Sequence, residues 1–170
     1  MPRPIVLYVR AIEAVNRVVG TFAMYLILVM MGILLYSVIA RTGFNSPKIW
    51  IVEMSQFTMA AYYLLGGGYS MMLDSHVRMD ILYSRWSPRR KAMVDVFTIC
   101  FLIFYLVFLL VGGLSSTQYA LEYNQKNYSS WAPPLAPIKI IMTLGILLML
   151  LQTIATFFKD LAIARGKPLS

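Results

Sequence analysis

The sequence predicts an all-α membrane protein with four transmembrane helices, and two observations support this fold class. Of the 170 residues, 59% are hydrophobic and only 13% are charged, whereas a soluble globular chain has about 25% charged residues. Four long stretches, residues 18–40, 54–73, 96–121 and 140–158, also contain no charged residue, and each can supply the roughly 20 residues that a helix needs to cross the hydrocarbon core. In lipid the backbone must satisfy its own hydrogen bonds, so these stretches are predicted to be helices. The predicted spans cover residues 18–40, 50–73, 92–121 and 138–158 of a single membrane domain, 1–170.

The segment before the first span has the pattern of an amphipathic arm helix, predicted over residues 4–17. Its apolar residues recur at steps of three and four: Ile5, Tyr8, Ile12, Val15 and Val19. Glu13 and Arg17 lie away from that stripe, in the i,i+4 order that favours an ion pair. We therefore expect the arm to lie in the membrane interface before the chain turns into the bilayer. The apolar run that follows exceeds the roughly 7–15 residues of a signal peptide, so we interpret it as a retained span.

The connection between the second and third spans is predicted to contain a short interfacial helix, residues 76–86. Its apolar residues share one face: Val77, Ile81, Leu82 and Trp86. Ser87 and Pro88 then have the signature of an N-cap and a first-turn proline, which predicts the start of the third helix.

Basic residues predict the orientation, because cytoplasmic connections of membrane proteins are enriched in Lys and Arg. Three lie in the N-terminal segment, five in the connection after the second span and three in the C-terminal tail, whereas the two remaining connections together hold four. We therefore expect a multi-pass protein of the bacterial inner membrane with both termini in the cytoplasm. Because the basic clusters flank apolar runs, the partner that we expect for the net charge of +8 is anionic phospholipid rather than nucleic acid.

Glu53 is the acidic residue of greatest interest, since it lies three residues after Trp50 at the outer end of the second span. Carboxylates within a membrane are functional candidates. Its position is shallow, however, and Lys48 or Arg41 is within reach. An ion pair or a partner contact is favoured over cation coupling, and both interpretations stay open.

Polar residues of the third span also form a stripe: Ser115, Gln118, Tyr119 and Glu122 share one helical face after Gly112 and Gly113. Small and polar residues at such spacing are typical of a face that packs against protein rather than lipid. The pattern does not say whether that protein is this chain or another. Trp131, like Trp50, is predicted to mark the outer interface.

No set of residues predicts an enzyme or a cofactor site. His76 is the single histidine, so two imidazoles cannot hold a haem within one chain. It is expected to be structural, beside Arg78 and Asp80. Cys100 is the single cysteine and is expected to be a small apolar residue in a span. Paired carboxylates, phosphate-binding glycine loops and metal-spaced clusters are absent from the sequence.

Several short motifs, in order, resemble the small DctQ-type membrane subunit of tripartite ATP-independent periplasmic (TRAP) transporters. They are the segment His76-Val77-Arg78-Met79-Asp80, Trp50 with Glu53, Trp131 with Pro133 and Pro134, and Leu151-Gln152. The resemblance covers essentially the whole chain. It implies a scaffold subunit that pairs with a large elevator-type membrane subunit, which holds the substrate and sodium sites. A periplasmic binding protein would deliver an organic acid to that complex.

Two other classes of membrane protein are compared with the sequence. A small four-helix multidrug exporter centres on a deep carboxylate in its first span, and residues 18–40 contain none. A free-standing structural membrane protein stays an alternative.

Overall fold

The computed structural model describes residues 3–74 and 85–165, and this part of the chain contains four α-helices. They are α1 (Arg3–Thr42), α2 (Trp50–Met72), α3 (Pro88–Glu122) and α4 (Ala136–Ala164). The all-α prediction is confirmed. The predicted interfacial helix falls almost entirely on residues 75–84, which lie outside the described residues.

The predicted arm and first span form one uninterrupted helix of 40 residues, α1. The expected turn between them, near Arg17 and Val18, is therefore not present. The sequence around this point contains no proline, and its single glycine, Gly20, is packed against Tyr69 of α2. Nothing there breaks the helix, since a kink normally needs a proline, a glycine–serine pair or a bulge.

Helix α4 lies at the centre of the bundle, because it packs against each of the other three helices. α1 also packs against α2, whereas the main contacts of α3 are with α4 alone. Contacts such as Asn16 with Gln152 and Arg89 with Ala164 place the start of α1, the start of α3 and the end of α4 at one end of the bundle. α1 and α3 therefore run antiparallel to α4, and α2 runs parallel to α4.

Three of the helices are followed by a residue in the left-handed conformation, Asn45, Asp74 and Asn124, with φ of 46°, 52° and 45°. Asn and Asp tolerate this conformation better than other non-glycine residues. At the start of α3, Ser87 occupies the predicted N-cap with Pro88 in the first turn, but its side chain makes no capping hydrogen bond.

Three of the four helices, α1, α3 and α4, are long and apolar enough to cross a membrane. Helix α2 has the length, with 23 residues, but it is more polar, because Glu53, Ser55, Gln56 and Thr58 interrupt its first half. Length and composition thus support three of the four predicted spans. They do not establish the second predicted span, which corresponds to α2.

Candidate functional site

A buried pair of amide side chains joins α1 to α4 near the end of the bundle where the chain starts. The Asn16 side-chain amide donates a 2.8 Å hydrogen bond to Oε1 of Gln152. Asn16 and Gln152 are 0% and 1% exposed. Because a polar group buried without a partner costs about 1–3 kcal/mol, this pairing is required once both side chains are buried.

The packing around this pair is close at two glycines of α2. A methyl group at Gly68 of α2 would lie 2.5 Å from Oδ1 of Asn16, and one at Gly67 would lie 2.8 Å from the sulfur of Met149. Thr153, which is fully buried, donates to the Met149 carbonyl at 2.7 Å, and its hydroxyl oxygen also lies 3.4 Å from the sulfur of Met71. Three helices therefore meet at one layer, where glycines let the backbones approach.

Two further contacts hold the predicted arm against α4. The Tyr8 hydroxyl donates to the Leu151 carbonyl at 3.2 Å, and Lys159 forms an ion pair with Glu13. The predicted pairing of Glu13 with Arg17 is therefore corrected: its partner lies on α4. The arm uses its inner face, including the buried Val9, to pack on protein. An amphipathic pattern is the same whether the apolar face meets lipid or another helix.

A second polar layer joins α3 to α4 near the opposite end of the bundle. The hydroxyls of Thr117 and Thr143 are 2.9 Å apart and share a hydrogen bond, and Gly113 allows the close approach. The Lys139 ammonium group donates to Oε1 of Gln125, at 2.6 Å, in the loop between the two helices. Polar residues thus cross-link α3, α4 and their connecting loop.

Glu53 is buried, with 6% of its surface exposed. Its Oε2 atom has no hydrogen-bond partner, and within the described ranges no ion pair joins it to Lys48 or Arg41, although both are included. The predicted intrachain ion pair is therefore not formed. Trp50 stacks on Tyr36 of α1, with ring centroids 6.1 Å apart, so the start of α2 is fixed against α1.

The predicted stripe on α3 faces away from the rest of the chain. Ser115, Gln118 and Glu122 are all exposed, and Gln118 donates to Glu122 at 2.9 Å along the same helix. The face that packs on α4 is the neighbouring one, with Gly113, Thr117 and Ala120. Sequence reasoning missed this face and Asn16. The signals were a threonine four residues after a glycine pair, which places it on the same helical face as Gly113, and a lone asparagine at the edge of an apolar stripe.

The other candidates contribute no site geometry. His76, Arg78 and Asp80 lie outside the described residues. Trp131 is 43% exposed in the loop before α4, and Cys100 is exposed on α3. Across residues 3–74 and 85–165, no group of three or more His, Cys, Asp or Glu side chains could hold a metal ion.

Comparison with protein families decides what this bundle belongs to. Residues 30–163 match the model for tripartite ATP-independent periplasmic transporters, DctQ component. The chain belongs to the DctQ family. The match covers most of the chain, including Glu53 and Gln152, and begins within α1 after Asn16. The search of curated proteins returned no match.

Family membership settles the broad role of the chain. DctQ proteins are non-catalytic components of transporters, which agrees with the sequence prediction that this chain is not an enzyme. They work together with DctM and DctP components. This DctQ chain is therefore a membrane component of a TRAP transporter.

Proposed function

We propose that this DctQ chain is the scaffold subunit of a sodium-coupled TRAP transporter that takes up organic acids across the bacterial inner membrane. DctM, the large component, would hold the substrate and sodium sites and move by an elevator mechanism. DctP would deliver the substrate from the periplasm. Sodium coupling and organic-acid substrates are what the family resemblance implies for this chain.

The observation that best supports a scaffold is the use of buried and partly buried polar residues to fix helices to one another. Asn16 with Gln152 joins α1 to α4, and Thr117 with Thr143 joins α3 to α4. A self-sufficient secondary transporter would instead be expected to show broken helices around a central binding site. All four described helices are continuous over their lengths. A rigid bundle of this kind provides a frame against which a moving domain can slide.

We also propose that α2 crosses the membrane, which gives four spans. It runs antiparallel to α1 and packs along both α1 and α4, and its 23 residues reach about 34 Å. Its polar residues are tolerated because much of its surface contacts other helices rather than lipid. The basic residues Arg10, Arg17, Arg89 and Arg90 are all near the end of the bundle that we place at the cytoplasmic surface, where anionic phospholipids attract them.

Reconstitution into liposomes with an inward sodium gradient tests this function. The purified chain alone should move none of a panel of labelled organic acids, whereas the chain with DctM and DctP should take up at least one. DctM with DctP but without this chain is the matched control, and uptake should fall to background. Sodium-driven transport by this chain alone would refute the scaffold role and favour the small-exporter alternative.

Orientation is tested separately by cysteine labelling. In a Cys100→Ser background, Ser87→Cys and Ser129→Cys introduce thiols before α3 and in the loop after it. An impermeant reagent added to cells with a permeabilised outer membrane should label Ser129→Cys only. Labelling of Ser87→Cys alone would reverse the proposed orientation.

A further inference from the structure

The outward face of α2 presents a stripe whose large side chains are exposed in the described chain. Its members follow one another at steps of four and three along the helix: Val52, Gln56, Met59, Tyr63 and the partly exposed Gly66. Tyr63 is 63% exposed and Met59 45% exposed, and Gln56 is exposed as well. An average period of 3.5 residues is that of a seam between two packed helices.

Two polar groups in this stripe lie at depths where lipid offers them no hydrogen bond. At about 1.5 Å per residue, Tyr63 is about 20 Å and Gln56 about 9 Å along α2 from Trp50. Tyr63 is therefore near the middle of a core about 30 Å thick, too deep for its side chain to reach the interface. Neither the Tyr63 hydroxyl nor the Gln56 amide hydrogen-bonds to any described residue. A hydroxyl or amide in hydrocarbon without a partner costs about 4–8 kcal/mol.

The stripe borders a groove with room for side chains of another helix. The groove, of about 420 Å³, lies between α1 and α2, and Gly20 and Ala23 line its α1 side while Tyr63 and Gly66 line its α2 side. A side chain at Gly66 would meet nothing within 4 Å. A small residue beside an open groove lets a partner backbone approach closely, as in helix pairs within membranes.

We infer that this stripe and groove form the docking surface for a transmembrane helix of DctM. The inference rests on the proposed function, including the membrane crossing of α2. The complementary helix would present hydrogen-bonding groups opposite Gln56 and Tyr63 and a side chain that fills the groove over Gly66. DctM is the membrane partner with which DctQ proteins work. A second copy of this chain fits less well, because twofold pairing would set groove against groove and leave both empty.

Three open glycines allow a matched test. Gly32 on α1, Gly66 on α2 and Gly112 on α3 each have nothing within 4 Å of an added methyl group. A leucine at any of the three should therefore leave the chain itself folded, and only the one that faces DctM should block assembly. The measurement is the amount of DctM that co-purifies with each tagged variant from co-expressing cells, with fluorescence-detected size exclusion as a check on folding.

We expect Gly66→Leu to reduce DctM recovery about tenfold or more, while Gly32→Leu and Gly112→Leu retain it. Tyr63→Phe should weaken assembly about threefold, the effect of one average membrane hydrogen bond. Full recovery with Gly66→Leu would refute the docking surface, and selective loss with Gly112→Leu would assign DctM to the α3 stripe instead.

Two further outcomes distinguish DctM from other occupants of the stripe and separate a wrong docking surface from a wrong proposed function. Tyr63→Cys in a Cys100→Ser background, treated with oxidant in membranes, should not yield a homodimer; an efficient homodimer would assign the stripe to a second copy. If the unaltered chain fails to recover DctM at all, the proposed function fails first. If it recovers DctM and Gly66→Leu does so equally, only the docking surface is wrong.

Discussion

Gly145 is a position where the structure predicts that a single methyl group destabilises the bundle. A methyl carbon there would lie 2.6 Å from the backbone carbonyl oxygen of Leu64 and 2.9 Å from its carbonyl carbon. An ordinary contact needs about 3.4 Å, so α4 and α2 would have to separate locally by about 0.8 Å. Because the obstacle is backbone rather than a rotatable side chain, only movement of a helix can relieve it.

The cost of Gly145→Ala combines two opposing terms. Overpacking a close contact costs about 1–3 kcal/mol, and replacing glycine by alanine within a helix returns about 0.5–1 kcal/mol. The expected net loss in the free energy of unfolding is therefore about 1–2 kcal/mol. Gly112→Ala is the matched control, because Gly112 meets nothing within 4 Å. The Gly112→Ala variant gains only the stabilisation that alanine gives over glycine within a helix, so its free energy of unfolding should be unchanged or higher.

Thermal unfolding in detergent, followed by far-UV circular dichroism, measures the difference. A change of 1 kcal/mol corresponds to about 2–4 °C for a chain of this size. Gly145→Ala should therefore melt at least a few degrees below the unaltered chain, and Gly112→Ala at or above it. If Gly145→Ala melts as high as Gly112→Ala, the close packing of α2 on α4 is not a determinant of stability.

Two other predictions concern buried polar groups. In a double-mutant cycle of Asn16→Ala and Gln152→Ala, the unfolding free energies should show a coupling of about 0.6–1.7 kcal/mol, the range for hydrogen bonds between membrane helices; additive effects would mean that the pair contributes no specific interaction. Glu53→Gln should leave the isolated chain as stable or more stable, because it removes a buried carboxylate with an unpartnered oxygen. The same variant should recover less DctM if DctM supplies the missing donor, without altering sodium dependence. Unchanged recovery together with altered sodium dependence would favour the cation-coupling interpretation.

The helices could be predicted from the sequence because long apolar runs leave a membrane-embedded backbone with few alternatives. The contacts of the arm, residues 4–17, could not be predicted in the same way. The amphipathic pattern of residues 4–17 identified the helix, but it assigned the apolar face to the membrane interface. In the structure that end of α1 contacts α4 through Tyr8, Glu13 and Asn16. Residues about 140 positions apart in the chain form these contacts, and no local pattern encodes them.

The polar stripe on α3 shows a second limit. Spacing correctly groups Ser115, Gln118 and Glu122 on one face, because the helical period alone decides which residues share a face. It does not decide which face meets a neighbour. Thr117 and Gly113, only one or two residues from the stripe, form the contact with α4. A rotation of about 100° per residue is enough to exchange the packed face for the exposed one.

The glycines separate what holds this chain together from what it offers to a partner. Gly20, Gly68 and Gly145 are each in contact with a neighbouring helix, where an added methyl group would clash. Those positions account for the fit of α2 between α1 and α4. Gly66 lies on the same helix as Gly68 but faces open space, so the intrachain packing gives no reason for a residue that costs helix stability. A close approach by another helix does give one. If α2 crosses the membrane as proposed, the exposed Gln56 and Tyr63 on the same helix also need hydrogen bonds that lipid does not provide.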